Sequence, residues 1–326
     1  MKKLIVTVVI LLTAWFIYKQ YQKGKAPDLA EEYRYAISNI NDIAKIRINY
    51  RLMDPDITLE KVNGFWQLNN KYRARRDAIE NLLKVIRGIE LQYIPTPAAR
   101  TNMIRDLATT GTKVEILDRQ DHLLKSYFIG GSTPDERGTF IIMNGSQSPA
   151  VVTMTGFEGT IRPYFMMPEK DWRDRMIYTE DYNQLQEVII EYPDRMESSF
   201  AIRRQQRGFA VFPLSDQINT LDRKPRKGAI EAYLQNYKSI GAEAIVDAEV
   251  VRENLEGRQP FARILIRRND QSEYQTAFYP LILEESSSMN QQIERFHLID
   301  SEGDVFLVQH LLFGKLFVDL NNFFDS

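Results

Sequence analysis

Apolar residues alternate with polar ones over 43–50 (IAKIRINY) and again over 185–192 (LQEVIIEY). A period of two marks a strand with one buried face. Two further strand-like runs flank Asn63-Gly64 in TLEKVNGFWQL (58–68), and Asn-Gly supplies the two left-handed residues that a tight hairpin needs. Its counterpart is AIRRQQRGFAVF (201–212), with Gly208-Phe209 for Gly64-Phe65. The period then changes to 3.6. In DAIENLLKVIRGI (77–89), Ala78, Leu82, Leu83, Ile86 and Ile89 form one helical stripe. The same steps carry Ala229, Tyr233, Leu234, Tyr237 and Ile240 in GAIEAYLQNYKSI (228–240). A shorter helix is predicted over 98–107.

Downstream, 112–130 reads strand, polar turn, strand, as does 262–280. The run 139–157, with Asn144-Gly145 in its turn, lies over 295–313. YRYAIS and RMIYTE match as entry strands. The interval between equivalents drifts from 142 residues at Tyr50/Tyr192 to 151 at Ala78/Ala229 and 156 at Phe157/Phe313, while element order is kept. Small loop insertions produce such drift. The pattern predicts an α+β fold of two tandem homologous modules, 33–172 and 173–326. Each consists of antiparallel β-hairpins covered on one face by an amphipathic helix. The C-terminal LLFGKLFVDLNNFF places Leu312, Leu316, Leu320 and Phe323 at helical spacing, so this segment is expected to pack on the second sheet.

The first 25 residues differ from the rest. Lys2 and Lys3 precede an uncharged run over 4–18, and Lys19, Lys23 and Lys25 follow it. Fifteen helical residues reach about 22 Å, short of a hydrocarbon layer of about 30 Å. That length also suits a cleaved signal peptide. No small-x-small site follows the run, however, and Trp15, Phe16, Tyr18 and Tyr21 form an interfacial belt that snorkelling lysines extend. Residues 1–25 therefore read as an uncleaved transmembrane helix, a membrane anchor, and 26–32 as a spacer. Lysine counts of two and three leave the orientation open.

Composition removes several functions. The chain has 42 basic and 44 acidic residues, and five of the lysines lie in the anchor. The body is acidic and lacks the cationic surplus that nucleic-acid binding requires. There is no cysteine, which excludes disulfides, thiolate metal sites and a cysteine nucleophile. No cofactor motif is present. There are three histidines. His122 sits in a polar turn, while His297 and His310 align with Ile141 and Met154, which are packing positions. None is spaced for a metal. Ser132 and Thr133 have no histidine nearby, and Asp135/Glu136 and Glu284/Glu285 are adjacent acids in polar loops. Two features remain as candidate sites. Gly130 and Gly131 in IGGSTPDERGTF suit either a backbone nest for an anion or an ordinary hairpin loop, and the neighbouring acids favour the loop. Arg73, Arg75 and Arg76 run into the first helix, as Lys224, Arg226 and Lys227 run into the second. Cations there oppose the helix dipole, so their recurrence suits either a solvated charged surface whose small cost is tolerated or contact with an anionic partner such as phospholipid headgroups, a phosphorylated glycan or an acidic protein face.

The sequence resembles the bacterial envelope proteins grouped as domain of unknown function 4340. The resemblance rests on DIAKIRI, NGFWQLN, KYRARRDAIENLLKVIRGI, YFIGGSTPDERGTFIIM, Gly156-Phe157-Glu158-Gly159 and DWRDR (171–175). The second unit departs from it, with LILEESSSMNQQ in place of the Gly130-Gly131 loop. The resemblance implies one membrane span, a body in the periplasm outside the bacterial inner membrane, and genes near ABC-transporter genes. It supplies no catalytic residues. The expectation is a non-enzymatic scaffold of an envelope complex, with exposed hairpin edges offering strand addition to a protein partner. The competing expectations are an envelope-polymer-modifying enzyme and a small-ligand binding module, each acting at the junction of the two repeats.

Overall fold

Ile46 and Ile48 are fully buried on strand β1 (Lys45–Asn49), and Lys45, Arg47 and Asn49, which alternate with them, are half-exposed, as the pattern predicts. The computed structural model describes residues 29–218, 223–281 and 293–325, in two compact units, 1–174 and 175–326. The predicted anchor at 4–18 lies outside the described residues. Among the described residues no helix is long and apolar enough to cross a membrane.

In the first unit, a short helix α1 (Leu29–Glu32) leads to β1. β1 pairs antiparallel with β2 (Ile57–Val62) and with β6 (Thr112–Leu117), Ile46 facing Leu59 on one side and Ile116 on the other. β2 turns into β3 (Phe65–Leu68) through Asn63 at φ 49° and Gly64 at φ 89°. Both residues are left-handed, the type I′ turn that Asn-Gly encodes. A two-residue strand β4 (Tyr72–Arg73) completes this end of the sheet. Helix α2 (Arg76–Gly88) buries Ala78, Ile79, Leu82, Val85 and Ile86, each core aliphatic contributing on the order of 1.5–3 kcal/mol by leaving water. β5 (Ile89–Tyr93) follows, then α3 (Pro97–Thr110), which is longer than its sequence suggests. Strands β7 (Leu123–Ser132), β8 (Thr139–Met143) and β9 (Ala150–Met154) give a nine-stranded sheet ordered β4-β3-β2-β1-β6-β7-β8-β9-β5. Helix α4 (Glu169–Trp172) ends the unit with Trp172 fully buried.

The second unit opens with β10 (Met176–Tyr178) and β11 (Leu185–Glu191), then β12 (Phe200–Arg204) and β13 (Phe209–Pro213). Helix α5 (Ala229–Leu234) spans only six residues and continues as a 3-10 turn, Gln235–Tyr237, where the sequence predicts one helix. β14 (Ile240–Gly241) pairs with β10, and β15 (Ala244–Ile245) precedes α6 (Ala248–Leu255). Strands β16 (Ala262–Arg268), β17 (Glu273–Pro280), β18 (Arg295–Asp300) and β19 (Val305–Gln309) complete a sheet ordered β13-β12-β11-β16-β17-β18-β19-β15. The chain is thus α+β, with mostly antiparallel sheets and few helices.

The C-terminal stretch is no single helix. It breaks into α7 (His310–Phe313) and 3-10 turns at Gly314–Leu316 and Leu320–Phe323. Leu316, Leu320 and Phe323 are buried in the second core, as their spacing implies, but Leu312 is exposed.

Candidate functional site

The basic stretches before the two helices are held by the same backbone device. In the first unit Ala74 bridges Arg173, and the Arg75 amide donates to the Trp172 carbonyl at 2.7 Å. In the second unit Pro225 bridges Phe324, and the Arg226 amide donates to the Phe323 carbonyl at 2.7 Å. Each pair of equivalents is separated by 151 residues. A third contact recurs. The Tyr50 hydroxyl donates to the Met167 carbonyl at 2.9 Å, and the Tyr192 hydroxyl to the Val318 carbonyl at 2.8 Å. The stretches 71–76 and 223–227 are therefore straps that close each unit onto its own C-terminal segment, the first burying Ala74 between the exposed Arg73 and the half-buried Arg75 and the second exposed throughout.

The side chains diverge within that shared frame. In the first unit every candidate cation has a carboxylate partner. Arg73 lies 3.6 Å from Asp174, Arg76 lies 2.7 Å from Glu80 one helical turn on, and Arg75 Nε lies 2.9 Å from Asp77. That last contact is a charge pair only, because the buried Nε–H finds no well-aligned acceptor. Exposed pairs of this kind contribute roughly 0–1 kcal/mol, enough to offset the unfavourable end of the helix dipole. The first-unit arginines thus find their anionic partners on their own chain, which removes the argument from recurrence for an outside anion there.

In the second unit the equivalents of Arg73, Arg75 and Arg76 are Lys224, Arg226 and Lys227. Arg226 donates a guanidinium N–H to the Asn322 carbonyl. Among the described residues no carboxylate lies within ion-pair distance of Arg226, Lys227 or Lys315. These three cations line a groove of about 590 Å³ between α5 and the C-terminal segment. Its remaining lining includes Ala229, Ala232, Tyr233 and Val318.

Gly130 and Gly131 do not form a nest. Both lie in β7, and neither adopts the left-handed backbone that a nest requires. Gly130 is instead a packing position, because a Cβ there would sit 2.8 Å from Leu107 Cδ2 of α3. The loop proper is 133–138, closed by the Gly138 amide donating to Thr133 Oγ1 at 2.9 Å and by Thr133 Oγ1 donating to Asp135 at 2.5 Å.

The histidines occupy three separate places. His122 is exposed, 3.1 Å from Asp118. His297 does not take the slot of Ile141. Ile141 faces Ile129, and the buried residue at that level of the second sheet is Leu298, opposite Phe278. The loops before β8 and β18 differ in length, and a slip of one residue turns a side chain to the other face. His297 is half-buried there, and desolvation lowers its pKa. His310 is exposed where Met154 is buried, since the chain leaves the strand at Gln309, and its ring stacks on Phe296 at 5.9 Å. The buried carboxylates are already occupied. Arg268 holds Glu180 at 2.6 and 2.8 Å, and Arg203 and Arg267 hold Glu187. Asp300, Glu302 and Asp304 cluster in the β18–β19 turn, where Asp300 accepts the backbone amides of Glu302 and Asp304.

Against this geometry, the sequence model of the domain of unknown function DUF4340 matches residues 66–256, more than half of the chain. The chain belongs to this family. The DUF4340 match begins within β3 and ends just past α6, so it takes in parts of both units and both basic straps. No curated protein and no solved structure matches the chain.

Nothing in the sequence marks Lys315 or Asn322 as partners of Arg226 and Lys227, since some ninety residues separate them. The available signal was an interval of 151 residues, which carries Ala74–Asp77 onto Pro225–Gly228 and Asp171–Arg173 onto Asn322–Phe324.

Proposed function

We propose that this DUF4340 protein is a membrane-tethered, non-enzymatic scaffold of the bacterial envelope, built from a duplicated α+β module spanning 33–172 and 173–326. Residues 4–18 anchor it as a transmembrane helix in the inner membrane, the body lies in the periplasm, and it serves an envelope complex that includes an ABC transporter. One observation carries the duplication. Eight strands of each unit follow the same order, β3-β2-β1-β6-β7-β8-β9-β5 and β13-β12-β11-β16-β17-β18-β19-β15, and three closing contacts recur with them. The shared strand order and the repeated strap support descent of both units from one module. The scaffold reading is supported by the edges of these sheets, where β5 exposes Leu91 and Tyr93 to a partner strand. The transporter connection is supported by the family resemblance alone.

Cross-linking in intact cells, followed by identification of the attached proteins, tests the scaffold. Subunits of one membrane complex are expected, and recovery of nothing above background would refute it. Fractionation tests the tether: full-length chain that leaves the membrane in alkaline carbonate would end that part of the reading.

A further inference from the structure

We propose that the groove lined by Arg226, Lys227 and Lys315 binds an anionic amphiphile, a phosphate headgroup among the three cations and its apolar portion against the apolar lining. Three observations converge. The groove's volume of about 590 Å³ lies within the range of small-ligand sites. Its charged lining residues are all cations: Arg226 is held by the Asn322 carbonyl, while Lys227 and Lys315 have no carboxylate partner among the described residues. Apolar groups share its lining: Ala229 and Ala232 of α5 and Val318 and Phe323 of the C-terminal segment lie in it beside Asn236 and Asn322. A fully hydrated inorganic anion has no use for such apolar groups, whereas a lipid-like phosphate uses both parts.

The straps and their partner segments carry the same net charge in the two units, +3 over 71–77 and 222–228 and −1 over 169–174 and 320–325, and differ in where the charges sit. At the interval of 151 set by the two straps, Gly228 replaces Asp77 and Asn322 replaces Asp171, so both carboxylates at these positions are gone. Glu231, the equivalent of Glu80, has its carboxylate beside Gly208 in the β12–β13 hairpin, 3.8 Å from where a Cβ there would sit. Gly228 adopts φ 78°, a conformation glycine supplies without strain. In the first unit each strap arginine has a carboxylate within reach, whereas in the second Lys227 of the strap and Lys315 of the C-terminal segment have none among the described residues.

Native mass spectrometry of the full chain, released from a neutral detergent, counts bound ligand per chain. The probes are dihexanoyl phosphatidylglycerol, dihexanoyl phosphatidylcholine and inorganic phosphate. One phosphatidylglycerol per chain is expected. Occupancy should fall about tenfold in Lys227→Gln/Lys315→Gln, the scale of losing two rim cations, and be unchanged in Arg75→Gln/Arg76→Gln. Among the described residues neither lysine side chain makes a hydrogen bond or an ion pair, and an unchanged circular dichroism melt verifies that the fold does not need them. Equal occupancy by phosphatidylcholine, equal occupancy by inorganic phosphate, or binding indifferent to the lysine pair would each overturn the proposal. The inference does not depend on the scaffold: a chain that binds the lipid but cross-links to no envelope protein would retain the site and lose the proposed partner.

Discussion

Replacing Tyr50 by Phe tests the idea that each unit is held shut by one phenol on its C-terminal segment. The Tyr50 hydroxyl lies 2.9 Å from both the Phe165 and the Met167 carbonyls, and its single proton serves one at a time. Burial pushes its pKa up to about 12, so it remains a donor at any ordinary assay pH. Met167 keeps a second donor, the Trp172 indole N–H at 3.2 Å. The deletion therefore strands chiefly the Phe165 carbonyl. Loss of one hydrogen bond plus desolvation of an unpaired buried carbonyl costs about 1–3 kcal/mol. With a urea m-value of roughly 2–3 kcal/mol/M for a unit of this size, the midpoint should drop by about 0.5–1 M. The chain supplies its own reporter. Trp66 and Trp172 lie in the first unit, and residues 175–326 contain no tryptophan. The fluorescence midpoint should therefore fall in Tyr50→Phe. In Tyr192→Phe, which strands the Val318 carbonyl, the change should appear in far-ultraviolet dichroism instead. A fluorescence midpoint unmoved by Tyr50→Phe would refute the argument.

Three further outcomes follow from local geometry. Gly64→Val puts a β-branched residue at φ 89° with open space around its Cβ, so the cost is purely conformational, about 1–2 kcal/mol, and Gly64→Asn should recover most of it in the same urea titration. Gly130→Val should cost about 1–3 kcal/mol by pushing Leu107 and α3 off β7, while Gly131→Val, with nothing near its Cβ, should be close to neutral; the reverse order would show that the glycine pair serves a loop after all. His297→Phe should flatten the acid side of the stability curve. Burial lowers this pKa, so the unfolded chain binds the proton more readily, and stability present above the unfolded value near 6.5 is lost as pH falls towards the folded one. Dichroism midpoints at pH 7.5 and 5.5 should converge in the variant, and an unchanged gap would assign the acid loss elsewhere.

Much of the fold is written in short-range pattern. Ile46 and Ile48 announce their strand by alternation, Asn63-Gly64 announces its turn by backbone conformation, and Leu82 and Ile86 announce their helix by spacing. What fails is whatever depends on distant partners. Gly130 reads as a loop because two glycines adjoin a proline and acids, yet the reason for its missing side chain is Leu107, on a helix earlier in the chain. His297 reads as a core position because a gap-free alignment carries it onto Ile141, but the differing loops before β8 and β18 shift the register by one. The basic straps read as helix-end charges because the sequence contains no mark of their pairing with residues about a hundred positions on. The candidate groove was half legible: Arg226 and Lys227 stand out as charges, whereas Lys315 and the apolar lining come only with the closure of the second unit.

Within the proposed duplication, the two copies serve as controls for each other. The Tyr50/Tyr192 anchors, the Ala74/Pro225 bridges and the amide bonds of Arg75 and Arg226 recur because closing the unit requires them, so they say nothing about partners. The same straps carry Asp77 in one copy and Gly228 in the other, and their partner segments carry Asp171 and Asn322. Neither change is needed for closure, since both copies keep the bridge and the bond. Over the same segments Lys71, Lys170 and Arg173 give way to Asp222, Asn321 and Phe324, so the net charge is kept and only its placement changes. What sets the second unit apart is that Arg226, Lys227 and Lys315 line one groove with no carboxylate in ion-pair reach among the described residues. That placement is why the groove of the second unit, rather than the carboxylate-paired strap of the first, is the place to look for a ligand.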